Sequence, residues 1–182
     1  MIGVLVSGSG TNLQALLDAG LPVLAVASNK PGARALERAE RAGVAAAVFQ
    51  LEDFGSREQR DLAMAEWLGA QGVEVVVCAG YMQLLTPVFL ERFAAINVHP
   101  SLLPAFPGLD AVGQALAAGV PETGVTVHFV DEGVDSGPIL AQETVAIEED
   151  DTAESLYERI RAVEHRLLPD AVRVYLAGLV RS

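Results

Sequence analysis

The chain is poor in the residues that several chemistries require. Among its 182 residues, Cys78 is the single cysteine and Lys30 the single lysine. One cysteine excludes an internal disulfide and a cysteine-based zinc site. One lysine leaves almost no place for a Schiff-base lysine or a Walker-type lysine. The histidines, His99, His128 and His165, are scattered without a close pair, so no metal is expected. Positive charge is scarce as well. Twelve basic residues against 24 acidic ones give −12, the wrong sign for a broad grip on nucleic acid. No apolar run reaches the length of a membrane span. The N-terminus, MIGVLVSGSGTN, has no basic n-region and turns glycine-rich too early for a signal peptide. The expectation is a cytoplasmic, soluble protein with small-molecule partners, binding neither nucleic acid nor membrane.

What the chain has is apolar character, 51% hydrophobic and 20% charged. That excludes a disordered or low-complexity chain. A single domain over 1–182 is expected, long enough to bury roughly 70% of the surface its unfolded form exposes. Met1 to Val6 reads as a buried strand, followed by a Gly/Ser loop and a helix that Asn12 can cap. Pro22 to Ala27 is a second strand. Pro31 opens a helix ending near Gly43, and Val44 to Gln50 is a third strand. Arg57 to Ala70 is helical. VEVVVCA, 73–79, is the strongest strand, apolar enough to be covered on both faces. Beyond Gly80 come a short helix at 87–93, a strand at 95–98, the proline-studded loop HPSLLPAFPG, and a helix at 110–118. Strands follow at 123–130 and 139–147, then a final helix from Asp151-Thr152 in which Pro169 is a place for a bend. This alternation predicts an α/β fold: a Rossmann-like, mostly parallel twisted sheet with helices on both faces.

Gly8 to Leu13 sits where a nucleotide-binding fold places its phosphate loop, with free N–H groups and a helix dipole aimed at one spot. The third glycine of the dinucleotide fingerprint is missing, and Ser28-Asn29-Lys30 lacks the acidic residue that grips a ribose. A phosphate monoester fits better than NAD, and a tight turn with a helix cap stands as the alternative. Asn97 and His99 lie two apart at a strand end, so their side chains share a face. An amide donor and an imidazole suit a carbonyl whose oxygen becomes an oxyanion. A polar strand end capping its own loop has the same pattern. Asp135, in EGVDSGP, is placed to orient His99 and raise its pKa, or is an ordinary turn aspartate. His128 and His165 are further candidates, with a packed or half-exposed strand residue as the alternative for His128 and a helix surface residue for His165. GxSxG is absent, so a serine hydrolase is not supported.

Taken together, VSGSGTNLQALLDA (6–19), SNKPGARALERAERAGV (28–44), AGYMQLLTPVF (79–89), INVHPSLLPAFPG (96–108), TGVTVHFVDEGVDSGPIL (123–140) and EHRLLP (164–169) resemble the folate-dependent glycinamide ribonucleotide formyltransferases. INVHPSLLP and VDEGVDSGPI are shared by formyl-tetrahydrofolate enzymes as a group. The resemblance implies formyl transfer from 10-formyltetrahydrofolate, as cosubstrate, to the amine of glycinamide ribonucleotide in purine biosynthesis, without a metal. It implies Asn97, His99 and Asp135 as the catalytic trio. It implies Gly10, Thr11, Asn12, Arg57 and Glu164 as contacts to the ribonucleotide. Met82, Gln83, Leu84 and Leu85, with Asp131, Glu132, Gly133 and Val134, are implied to line the folate pocket. A division follows into a ribonucleotide-phosphate half, 1–95, and a catalytic and folate half, 96–182, with a homodimer left open. Gln83 stands where some members have Arg, and Ala105 and Asp110 replace larger residues. A formyl-folate hydrolase and a non-catalytic phosphate-binding protein remain the rival functions.

Overall fold

The computed structural model describes residues 1–179. Between Asn97 and Val98 the chain divides into two compact units. In the first, five parallel strands run in the order β3-β2-β1-β4-β5. They are β1 (Ile2–Val6), β2 (Val23–Ser28), β3 (Ala45–Val48), β4 (Val75–Cys78) and β5 (Ala94–His99). Parallel neighbours need crossovers, and the helices supply them. These are α1 (Thr11–Asp18), α2 (Arg34–Arg41), α3 (Arg57–Ala70) and the single turn α4 (Pro87–Leu90). All five residues of β1 and all four of β4 are buried, as their uninterrupted apolar runs require. Each such side chain removed from water stabilises the fold by about 1.5–3 kcal/mol. The α/β class expected from the alternation is the one the chain adopts.

Local chemistry moves some helix starts. Gly10, not Asn12, is the N-cap of α1, because only glycine takes the left-handed φ of 71° there without strain. Asn12 already lies within the first turn. Pro31 does not open α2: Ala33 is extended, and the helix begins at Arg34. The α3 start is as expected, with Ser56 accepting the Gln59 amide at 3.2 Å.

In the second unit, β6 (Glu122–Phe129) and β7 (Ile139–Ala146) form an antiparallel pair. Helix α5 (Ala111–Ala118) starts on Asp110, whose carboxylate accepts the Gly113 amide at 3.2 Å. Helix α6 (Ala153–Leu179) runs on through Pro169. Leu156, Ile160, Leu168 and Val172 of α6 are fully buried at four-residue spacing. Glu164 occupies the middle of that apolar row. The loop after β5 is pinned from β6 and β7. Thr126 Oγ1 accepts the Leu103 amide at 3.1 Å and donates to the Ser101 carbonyl at 2.7 Å, and Gln142 Nε2 donates to the Leu103 carbonyl at 2.8 Å.

Candidate active site

Within the first unit, the loops that follow β1 and β4 are tied together. Strands β1 and β4 are paired neighbours, and their loops leave from the same, carboxyl ends. Ser7 Oγ accepts the Met82 amide at 2.8 Å and donates to Asn29 Oδ1 at 2.6 Å. Carboxyl ends of parallel strands are where open α/β sheets hold ligands. Gly10, Thr11 and Asn12 form the start of α1, where the cap residue has no side chain to bind the first amides. A surface cavity beside this loop is lined by Ser7, Gly8, Ser9, Lys30, Pro31 and Arg34. The chain's single lysine and the first residue of α2 thus bring positive charge to the glycine loop. Neither was among the expected site residues, although Lys30 lies two residues beyond β2 in the Ser28-Asn29-Lys30 stretch already noted. Arg57, the first residue of α3, is exposed.

Residues 82–85 have no regular structure. Met82 and Leu84 are 61% and 51% exposed, whereas Leu85 is buried. The loop presents two apolar side chains to solvent over a buried footing. Gln83 is bound on its inner side by Arg60, whose Nη1 donates to Gln83 Oε1 at 3.1 Å. Asn97, half-buried, lies on β5 opposite Cys78 of β4. Burial pushes the Cys78 thiol up to about 12, so it supplies no thiolate nucleophile near neutral pH.

The second unit gathers His99, Asp135 and His128, a further candidate of the sequence whose alternative was an ordinary strand residue. Asp135 Oδ2 is 3.3 Å from His99 Nδ1, and Oδ1 is 3.5 Å from His128 Nε2. The Gly108 amide donates to Oδ2 at 2.7 Å. Both imidazoles are almost wholly buried. The other ring nitrogens also face acceptors: His99 Nε2 lies 2.8 Å from the Phe106 carbonyl and His128 Nδ1 2.8 Å from the Phe129 carbonyl. A singly protonated ring can donate to one of its two acceptors, an imidazolium to both. One carboxylate therefore serves two imidazoles. Burial pushes the Asp135 carboxyl up, but the His128 hydrogen bond, the Gly108 amide and the charges of His99 and His128 outweigh it. The net shift is below the ordinary carboxylate value.

Asp135 reaches this position from a left-handed backbone, φ 51°, a conformation aspartate tolerates better than most residues. Its loop is held from both sides. Asp131 accepts from the Gly133 amide at 3.0 Å and from Ser136 Oγ at 2.8 Å. At Gly137 a Cβ would meet the Phe129 carbonyl oxygen at 1.9 Å. Asp131, Glu132, Gly133 and Val134 line the exposed outer side of this loop. Glu164 is 4% exposed on α6. Ala105 is exposed, and its carbonyl accepts Ser101 Oγ at 2.5 Å. Among the described residues no group of three or more His, Cys, Asp or Glu is arranged to hold a metal, and no helix is long and apolar enough to cross a membrane.

Residues 1–172 match the family described as formyl transferase. The phosphoribosylglycinamide formyltransferase of Bacillus subtilis is 40% identical over 95% of this chain and 93% of its own length. The trifunctional purine biosynthetic protein adenosine-3 of Chironomus tentans is 46% identical over 99% of the chain. The chain spans only 14% of that longer protein. Among solved structures, glycinamide ribonucleotide transformylase 1 of Symbiobacterium toebii superposes with a TM-score of 0.95 at 50% identity, over 97% of this chain and 87% of that one. With a family match over nearly its whole length and close relatives that share its extent, the chain belongs to the formyl transferase family, among the phosphoribosylglycinamide formyltransferases.

Proposed function

We propose that this chain transfers the formyl group of 10-formyltetrahydrofolate to the amine of glycinamide ribonucleotide. The observation that carries this reading is Asp135 set between His99 and His128. A buried carboxylate held below its ordinary pKa keeps its charge at neutral pH and orients both imidazoles. His99 is then a hydrogen-bond donor to the oxyanion that forms when an amine adds to a formyl carbon, and Asn97 is the second donor. The attacking amine must be neutral and must lose a proton as the folate nitrogen leaves. Asp135 is assigned to hold His99 in place and to help relay that proton through water to the folate nitrogen, which takes it up as its bond to the formyl carbon breaks.

The residues also suit the two substrates. The start of α1, whose cap residue Gly10 makes no side-chain cap bond, favours a phosphate, and Lys30 and Arg34 add charge beside it. Arg57 and Glu164 are assigned to the ribonucleotide by their match to the family's motifs. In the first unit the exposed apolar side chains of Met82 and Leu84 suit a flat aromatic ring. Formyl-folate is the cosubstrate assigned to 82–85 and to 131–134, each by its own match to the family's motifs. Residues 1–95 thus serve mainly the ribonucleotide phosphate, and 96–182 the chemistry and the folate.

The test supplies purified protein with 10-formyltetrahydrofolate, with and without glycinamide ribonucleotide, and follows loss of the formyl group. Loss that depends on the ribonucleotide supports transfer. Equal loss in both samples identifies a hydrolase, and no loss in either identifies a binding protein.

A further inference from the structure

The most deeply buried charges lie outside the machinery assigned above. Arg60 and Asp61, adjacent residues in the first half of α3, both have fully buried side chains. Arg60 Nε and Nη2 donate to Asp61 Oδ1 at 2.9 and 2.7 Å. The rest of the pair's hydrogen bonding goes to one short stretch of chain. Arg60 Nη1 donates to Gln83 Oε1 at 3.1 Å and Nη2 to the Leu84 carbonyl at 3.5 Å. Asp61 Oδ2 accepts the Thr86 amide at 2.8 Å and the Thr86 hydroxyl at 2.9 Å. Thr86 caps α4 in sequence, yet its hydroxyl makes no cap bond and turns to Asp61 instead.

We propose that Arg60 and Asp61 are positioning residues that hold residues 82–86 in the shape that receives formyl-folate, and so set its affinity rather than the rate of the chemistry. This rests on the assignment of Met82–Leu85 to the folate pocket. Burying two opposite charges gains little over apolar residues of equal volume. What the pair supplies is a single geometry, since a guanidinium fork bonds its partners only in fixed directions. The stretch it fixes has no helix or strand of its own. Its near end is fastened by Ser7 Oγ on the Met82 amide, its far end by Asp61 on Thr86. Between these fastenings the exposed Met82 and Leu84 are held outward over the buried Leu85. Losing the fork frees residues 83 and 84, and the ligand must then order them on binding.

The experiment compares wild type with Arg60→Lys and with the double variant Arg60→Met/Asp61→Leu, which removes both charges and leaves neither unpaired. For each, folding is checked by circular dichroism, and kcat and KM are measured for both substrates. Calorimetry gives the Kd of formyl-folate. The double variant is expected to raise KM and Kd for formyl-folate at least tenfold, with kcat and the ribonucleotide KM within threefold of wild type. Arg60→Lys keeps the charge beside Asp61 but loses the fork, so a smaller rise of at least threefold is expected. Formyl-folate values within twofold of wild type overturn the proposal, as does a fall in kcat without a change in formyl-folate KM. Should the double variant not fold, Arg60→Lys decides by the same thresholds. A wild-type protein that neither binds nor consumes formyl-folate overturns the assigned activity and this proposal with it. A competent wild type beside unchanged variants overturns the positioning role alone.

Discussion

Asp135 turns one carboxylate oxygen to within 3.3 Å of His99 Nδ1 from a residue whose own backbone is left-handed, φ 51°. The left-handed turn and the His99–Asp135 contact are one feature, because the turn aims the carboxylate. His99 and Asp135 are therefore expected to act as a unit. His99→Ala and Asp135→Asn should each lower kcat/KM on the order of 10²–10⁴-fold, the span of general acid–base effects. The double variant should lose little beyond the worse single one. Fully additive losses in folded protein would show that Asp135 acts independently of His99.

The depressed pKa of Asp135 also makes stability depend on pH. Its folded value lies below the unfolded carboxylate value of about 3.9. The stability it contributes is thus present above about pH 4, and it is lost as pH falls through the folded value. Thermal unfolding of wild type and Asp135→Asn, compared from pH 7 to pH 2, should show a gap that is constant at neutral pH and closes below pH 4. A gap that widens on acidification would mean that the carboxylate is held above its ordinary pKa.

Asn97 is half-buried at the end of β5 and carries little of the packing. Asn97→Ala should keep the fold and lose on the order of 10²–10³ in kcat, the usual cost of removing an oxyanion donor. Circular dichroism with steady-state kinetics measures both. A folded variant within a few-fold of wild type removes Asn97 from the chemistry.

Two glycines two residues apart in the same loop should answer differently. At Gly10 a Cβ would meet Ala35 Cβ at 2.5 Å and Ala35 Cα at 2.7 Å, and φ is 71°. Gly10→Ala should therefore cost about 1–3 kcal/mol of stability from backbone strain, with overpacking added. At Gly8 a Cβ would meet nothing within 4 Å. Gly8→Ala should change stability by less than about 0.5 kcal/mol. Its Cβ lies where an anion approaches backbone amides, so ribonucleotide affinity should fall on the order of tenfold while folate affinity holds. Denaturant unfolding and calorimetry with each ligand separate the two. Unchanged ribonucleotide binding in Gly8→Ala would take the phosphate away from this loop.

Elements set by neighbouring residues were legible in the chain itself. The apolar runs of β1 and β4 announce buried parallel strands because no alternation interrupts them. The span of α3 follows from Ser56 before it and Gly72 after it, both within a turn of its ends. The same locality made Gly8 to Asn12 and the Asn97–His99 pair visible as candidate chemistry, since their spacing along one loop or strand is their geometry. Even Glu164 could have been singled out by pattern alone, as an acid in the middle of a row of leucine, isoleucine and valine on α6.

Where residues far apart in the chain must meet, local pattern is silent. His128 looked like a strand residue because nothing in its neighbourhood marks it. It becomes part of the site only when the turn at 131–137 brings Asp135 back against β6. Arg60 and Asp61 stand side by side early in a helix, with nothing beside them in the chain to mark them as buried. Packing closes over them and turns them toward Gln83, Leu84 and Thr86, more than twenty residues away. The physical reason is the same in both cases. A charge or an imidazole carries no signal of its environment along the chain, and burial, partners and dielectric are properties of the packed molecule alone. The sequence by itself determined the strand and helix order, the glycine loop and the Asn97–His99 pair. Only the tertiary structure decided which carboxylate meets which imidazole, and which loop the buried ion pair holds.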